Sequence, residues 1–151
     1  MNIEIIDFEP KYRDDFKNLN VEWLEKYFEV EPYDKEVLSN PEKYILEKGG
    51  KIFFAKLEDK IIGTVALMPK NSSFELTKMA VTEKIQSKGI GSLLMQKCID
   101  EAKNLGLKEI FLFSNTKLDK AINLYKKVGF LEEHFDSSDY KRANIYMTLK
   151  L

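Results

Sequence analysis

Apolar residues recur along this chain with two different periods, and the switches between them mark its elements. Ile3, Ile5 and Phe8 alternate with polar neighbours as in a short strand that Pro10 closes, and Tyr12, Phe16, Leu19, Trp23 and Leu24 then return at helical spacing. Pro32 restarts the chain. Val37, Leu38, Tyr44, Ile45 and Leu46 predict a second helical stretch, broken or bent near Pro41 and ended by Gly49-Gly50. Two β-rich runs follow, residues 52–57 and 61–67, joined by Glu58-Asp59-Lys60 and expected to pair antiparallel as a hairpin. After Pro69-Lys70-Asn71-Ser72-Ser73, a loop by composition, residues 74–81 form the next strand. Leu93, Leu94, Cys98 and Leu105 recur at helical spacing before Gly106, a left-handed cap. The order is completed by a buried strand over residues 108–114, a helix through Ala121, Ile122, Leu124 and Tyr125 that stops at Gly129, and two last strands over 130–135 and 145–149. Strand, helix, strand, helix in succession implies a parallel pair. The sum is an α/β fold with a single mixed sheet: an antiparallel N-terminal meander, a central parallel strand pair and helices on both faces.

The length of 151 residues is that of one domain with a real core, so residues 1–151 are read as a single unit. Apolar residues make up 44% and charged residues 32%, with 24 Lys and Arg against 25 Asp and Glu, which is an ordinary soluble surface. Basic residues are interleaved with acids instead of gathered in a block, which argues against nucleic acid as a partner. There is no apolar run long enough to span a bilayer, and the N-terminus has neither a basic start nor a cleavage site. No membrane partner is therefore expected, and a cytoplasmic location is. A single cysteine, Cys98, excludes an internal disulfide and a thiolate zinc cluster, and no metal site is expected. It falls among Leu94, Met95, Ile99 and Ala102 on an apolar helix face, and reads as core filling instead of half of a catalytic pair with the lone His134.

The most informative stretch runs from Met79 to Leu94, where an apolar strand passes through a short polar turn into two glycines that open a helix. Gly89 and Gly91 lack a Cβ, so a diphosphate can come close to the main chain, and the first N–H groups of the helix have no carbonyl partner. Those donors and the positive end of the helix dipole favour an anion, with Lys88 adding a mobile charge at the rim. The competing interpretation is that the glycines merely turn the chain. A Walker loop does not fit, because the order here is Lys88-Gly89 and Ser92 comes too late to hold magnesium. A dinucleotide fingerprint fits poorly as well: a polar stretch separates Val81 from Gly89, Leu94 fills the third glycine's place, and Glu109 starts a strand instead of ending one.

Two separated segments are similar to the GCN5-related N-acetyltransferase (GNAT) superfamily. One is Gln86-x-x-Gly89-x-Gly91 after the strand Glu75 to Val81, which resembles the family's Gln/Arg-x-x-Gly-x-Gly/Ala motif. The other is Ser114 to Phe130, which resembles the family's series of strand end, Asn, Ala, Leu-Tyr and Gly-Phe. Together they cover roughly residues 74 to 132. The resemblance implies acetyl-coenzyme A as cosubstrate, its pyrophosphate on the main-chain amides of Gln86, Ser87, Lys88, Gly89, Ile90, Gly91 and Ser92. Its pantetheine arm would run beside Met79, Ala80 and Val81, with the amides of Met79 and Val81 holding the arm and polarising the thioester carbonyl. Ala121 and Asn115 are further cofactor contacts by the same resemblance, although Thr116, Lys117 and Leu118 lengthen the segment around Asn115 relative to shorter members.

Tyr125 matches the family's Leu-Tyr tyrosine, which protonates the departing thiolate in many members; the alternative is a core aromatic beside Leu124 and Ile122. Glu75, eleven residues before Gln86, is placed like the general-base glutamate of the histone-acetylating branch, or else simply faces solvent. An acceptor amine would be framed by Trp23, Tyr27, Phe28, Glu29, Glu31 and Tyr33 and by the last loop with Tyr140 and Arg142, Glu29 and Glu31 reading more as a solvated loop than as an amine site. The expected function is acetyl transfer from acetyl-coenzyme A to a primary amine of a small molecule or peptide by direct attack in a ternary complex. A non-catalytic acyl-coenzyme A sensor or interaction module is the alternative, and a homodimer through the late edge strands is compatible with the fold.

Overall fold

A computed structural model describes residues 2–85 and 89–151. Seven strands form one sheet in the order β1-β2-β3-β4-β5-β7-β6. β1 (Ile3–Asp7), β2 (Lys51–Leu57), β3 (Lys60–Lys70) and β4 (Ser73–Val81) make the antiparallel meander. β5 (Glu109–Ser114) runs parallel to β4, and β7 (Ile145–Lys150) inserts antiparallel between β5 and the short β6 (Leu131–Glu133). The segment 69–73, expected to be a loop, is instead a strand-to-strand turn. Pro69 and Lys70 stay in β3, Ser73 already belongs to β4, and only Asn71 and Ser72 turn, both in the left-handed region at φ 47° and 66°. Asparagine tolerates that region and the turn twists with the strands it joins, so two residues do the work of five.

Side-chain alternation sends each central strand into two cores. Phe53 and Ala55 of β2, Val65 and Leu67 of β3 and Leu76 of β4 pack with α3 (Ile90–Asn104) and α4 (Asp119–Val128) on one face. Ile52, Phe54, Ala66 and Met68 pack on the other with α1 (Arg13–Tyr27), α2 (Pro32–Ser39) and a single π-helical turn at Glu42–Leu46. Pro32 at the head of α2 has no N–H to lose there, and Glu31 and Asp34 close a reciprocal cap around it. Cys98 is fully buried in the α3 core, as its helix position predicted.

Two irregularities in β4 shape the site. Thr77 pairs with Ala66 and Ala80 with Thr64, so a two-residue step on β3 faces a three-residue step on β4. The extra residue is Lys78, whose φ is 55°. A bulge of this kind reverses which face the following residues present. Thr77 and Lys78 both face the α1–α2 side, while Met79 and Val81 return to the α3 core. Beyond the bulge β4 and β5 separate: among the described residues the parallel pair is registered at Glu75 and Phe111.

Candidate active site

The splay opens between two cavities that meet end to end. The outer one, about 620 Å³, is lined by Met79, Ala80 and Val81 of β4, by Gly89, Ile90, Gly91 and Ser92 at the head of α3, and by Ala121 and Leu124 of α4. Gly89 sits at φ 72°, which glycine adopts without strain, and its lack of a side chain leaves the helix start uncapped. The N–H of Leu93 reaches the Gly89 carbonyl, so those of Ile90, Gly91 and Ser92 precede the first intrahelical bond. Among the described residues, a Cβ on Gly91 would meet nothing within 4 Å. At Gly63 the situation is reversed. A Cβ there would come within 3.2 Å of Leu94 and 3.3 Å of Ile90, so the bare strand lets α3 dock close and aims its first turn at the cleft.

The inner cavity encloses about 90 Å³ and shares Trp23, Met79, Leu118 and Tyr125 with the outer one. Glu75, Thr77, Lys78, Tyr140 and Arg142 provide its polar wall. Tyr125 is buried, its ring 5.9 Å from that of Phe130, and burial pushes its phenol up to about 12. Glu75 is 2% exposed, far from the solvent-facing alternative. Burial raises its carboxyl to about 7 against the pull of the Lys78 and Lys70 charges.

Behind that wall lies a buried ion cluster. Asp34, fully enclosed, accepts from both Arg142 guanidinium nitrogens at 2.6 and 2.9 Å and from the Lys78 ammonium at 2.8 Å. Glu31 accepts from the same guanidinium at 3.2 Å and from the backbone amides of Lys141 and Arg142 at 2.8 and 3.2 Å. Burial alone would raise the Asp34 carboxyl, but Arg142 and Lys78 outweigh it and hold it near 2. Desolvation lowers Lys78, and Asp34 opposes that. The cluster ties α2, the β4 bulge and the loop before β7 into one wall. Lys117 fastens the opposite rim: its ammonium lies 4.1 Å from the Phe28 ring centre and donates to the Tyr27 carbonyl, joining the β5–α4 loop to the end of α1. The segment 116–118 therefore has a bridging role.

Among the expected site residues, Met79, Ala80, Val81, Gly89, Ile90, Gly91, Ser92 and Ala121 all line the outer cleft, Glu75 lines the inner cavity, and Tyr125 lines both. Gln86, Ser87 and Lys88 lie outside the described residues. Asn115 sits on the inner cavity instead of the cleft, and its amide is engaged within the protein, donating to the Arg142 carbonyl at 2.7 Å and accepting from the Lys117 amide at 2.9 Å. Glu31 is buried in the ion cluster and is no solvated loop residue, whereas Glu29 is exposed. Lys78 and Asp34 went unforeseen. The available signal was a pair of consecutive polar residues, Thr77 and Lys78, that breaks the alternation of the strand, but nothing local pairs the lysine with an aspartate 44 positions away.

The model of the acetyltransferase (GNAT) family matches residues 14–130. The chain belongs to that family, as the resemblance of its two motifs implied. It is 30% identical over 116 residues to the uncharacterized N-acetyltransferase YvbK of Bacillus subtilis (strain 168), covering 74% of this chain and 75% of that one. Its fold matches an acetyltransferase of the GNAT family from Staphylococcus aureus Mu50 with a TM-score of 0.88 at 23% identity over 99% of both chains. It also matches the PaiA N-acetyltransferase of Thermoplasma acidophilum, solved in complex with coenzyme A, with a TM-score of 0.79 at 20% identity over the full length of both. The mixed sheet with its parallel β4–β5 pair, expected from the sequence, is the arrangement found. Among the described residues no helix is long and apolar enough to cross a membrane.

Proposed function

We propose that residues 1–151 act as one acetyltransferase domain that moves the acetyl group of acetyl-coenzyme A onto a primary amine, with both substrates bound at once. The observation that carries this is the end-to-end meeting of the two cavities at Met79 and Tyr125. A ligand entering along the cleft and an amine beside Glu75 would face each other there, and such juxtaposition alone supplies several kcal/mol, on the order of 7 or more, of the barrier reduction.

The outer cleft suits coenzyme A. The open space at Gly91 and the uncapped first turn of α3 fit a diphosphate, and the diverging edge of β4 fits an extended arm. Gly89, Ile90, Gly91 and Ser92 would hold the diphosphate, together with Gln86, Ser87 and Lys88 by their place in the motif, and Met79, Ala80, Val81 and Ala121 would hold the arm. Acetyl-coenzyme A supplies an activated acyl carbon, to which the amine nitrogen bonds as the carbon–sulfur bond breaks. Glu75 takes the proton that the acceptor ammonium must lose, a task suited to a carboxyl poised near 7. Tyr125 keeps its proton at neutral pH because burial disfavours the phenolate, gives it to the departing sulfur, and is reprotonated by the second proton that the nitrogen loses on becoming an amide. The amides of Met79 and Val81, just past the bulge, would hold the arm and polarise the thioester carbonyl.

Thiol release from acetyl-coenzyme A with a panel of primary amines tests the proposal, with calorimetry of coenzyme A binding in parallel. Amine-dependent release supports it. Coenzyme A binding without release on any acceptor would favour the acyl-coenzyme A sensor instead, and absence of coenzyme A binding would overturn both.

A further inference from the structure

The inner cavity is small and its cations are already engaged. An engineered cavity of about 150 Å³ holds one benzene ring, so a space of about 90 Å³ takes only three or four non-hydrogen atoms. With an acyl group at the shared end, what remains admits an amine nitrogen and the carbon or two next to it, and the rest of a longer acceptor extends through the cavity's open side.

Lys78 and Arg142 face this space, and a free pair of cations would invite a carboxylate-bearing acceptor. They are not free. Asp34 takes the fork of Arg142 and the ammonium of Lys78, and Glu31 takes a further guanidinium contact, so two cations stand against two anions. The charged group left over on the cavity is the Glu75 carboxyl, and an acceptor carboxylate would be buried beside it with no spare counter-charge. The other walls include the rings of Trp23 and Phe113, which favour methylenes, and those of Phe28 and Tyr140, which already carry the Lys117 cation and the Lys78 and Arg142 cations.

The geometry points to an acceptor whose amine stands on an unbranched methylene with no carboxylate next to it: a slender alkyl or aralkyl primary amine, not a free α-amino acid. This rests on the proposal that the inner cavity receives the acceptor. It excludes two features separately, a branch by volume and an adjacent carboxylate by charge.

Matched pairs test each exclusion. With acetyl-coenzyme A saturating, n-butylamine should exceed sec-butylamine in kcat/KM by about tenfold or more, since a methyl forced into a packed site is costly. Glycinamide, which matches glycine in size without the charge, should exceed it by about a hundredfold or more. Calorimetric titration of the coenzyme A-loaded protein with the same four amines should give the same order of affinity. That readout still decides the matter if no amine is turned over, in which case the catalytic proposal fails and this one does not. Asp34→Asn, checked for folding by circular dichroism, should free Arg142 and narrow the glycinamide-over-glycine preference. If sec-butylamine or glycine came within threefold of its partner in both rate and binding, or if Asp34→Asn folded and left the glycine discrimination unchanged, the inference would be wrong.

Discussion

Replacing Gly91 by leucine should separate binding from folding, because the two respond in opposite directions. Among the described residues a Cβ at this position meets nothing within 4 Å, and the residue is helical and lines the cleft, so the side chain projects there without disturbing the core. Glycine inside a helix costs about 0.8–1.0 kcal/mol relative to alanine and leucine costs little, so the variant should gain up to about 1 kcal/mol of stability. For a domain of this size that raises Tm by roughly 2–4 °C. In the cleft the same side chain stands between a diphosphate and the amides of Ile90, Gly91 and Ser92. A hydrogen bond to a charged group contributes about 1.5–3 kcal/mol, so losing two removes about 3–6 kcal/mol. That corresponds to a roughly 10²- to 10⁴-fold rise in Kd for coenzyme A. Calorimetry with coenzyme A and thermal unfolding of the ligand-free protein measure both quantities. A Gly91→Leu protein that binds coenzyme A within threefold of the parent would refute the assignment of this cleft. One that melts well below the parent would refute the inference that the space at Gly91 is open.

Three further perturbations address the inner cavity. Tyr125→Phe keeps the ring against Phe130 and removes only the acid, so the maximal rate should fall by about 10²- to 10⁴-fold with Tm nearly unchanged; an unaltered rate would return Tyr125 to the core. In the parent, kcat/KM should rise with pH through about 7 as Glu75 loses its proton, and Glu75→Gln should lose that limb along with most of the activity. Because the Glu75 carboxyl is raised by folding, its contribution to stability is full below about 4.5 and is lost as pH rises through about 7. Glu75→Gln should therefore gain on the parent by about 3 kcal/mol across that window in urea titrations, and a constant difference would contradict the burial effect. Asp34 has the opposite sign: its contribution is full above about 3.8 and disappears as pH falls through about 2. Asp34→Asn, which strands Lys78 and Arg142, should cost roughly 3–5 kcal/mol at neutral pH by the same titration.

The outer cleft of this protein was legible in the sequence because it is made of contiguous main chain. The strand from Glu75 to Val81, the turn and the glycine-headed helix fix one another through local geometry, so Met79 and Gly91 were located before any coordinates. The inner cavity is walled by side chains from distant segments. Asp34, Lys78 and Arg142 meet only because α2 packs over β4 and the loop before β7 folds back, and pairing across 44 and 108 positions leaves no periodic trace. Glu31 shows the limit well. In a run of charged residues it reads as solvated, yet it caps a helix and takes three hydrogen bonds from residues beyond position 140. Strand phase was hidden for a related reason, since the extra residue at Lys78 makes no sense until β3 is laid beside it. Length was misjudged at 69–73, where composition suggested five loose residues and a two-residue turn suffices, and at the strand expected over 130–135, which is only Leu131–Glu133.

That extra residue is dispensable to the core and serves the wall beside it. Deleting Lys78 would restore regular pleating to β4 and still leave Thr77 on the α1–α2 side and Met79 and Val81 in the α3 core, because Ala66 and Thr64 would then face Thr77 and Ala80 across equal steps. What a one-codon loss there takes away is the ammonium held by Asp34 and the local kink of the strand, so it should spare the packing of the sheet while opening the ion cluster.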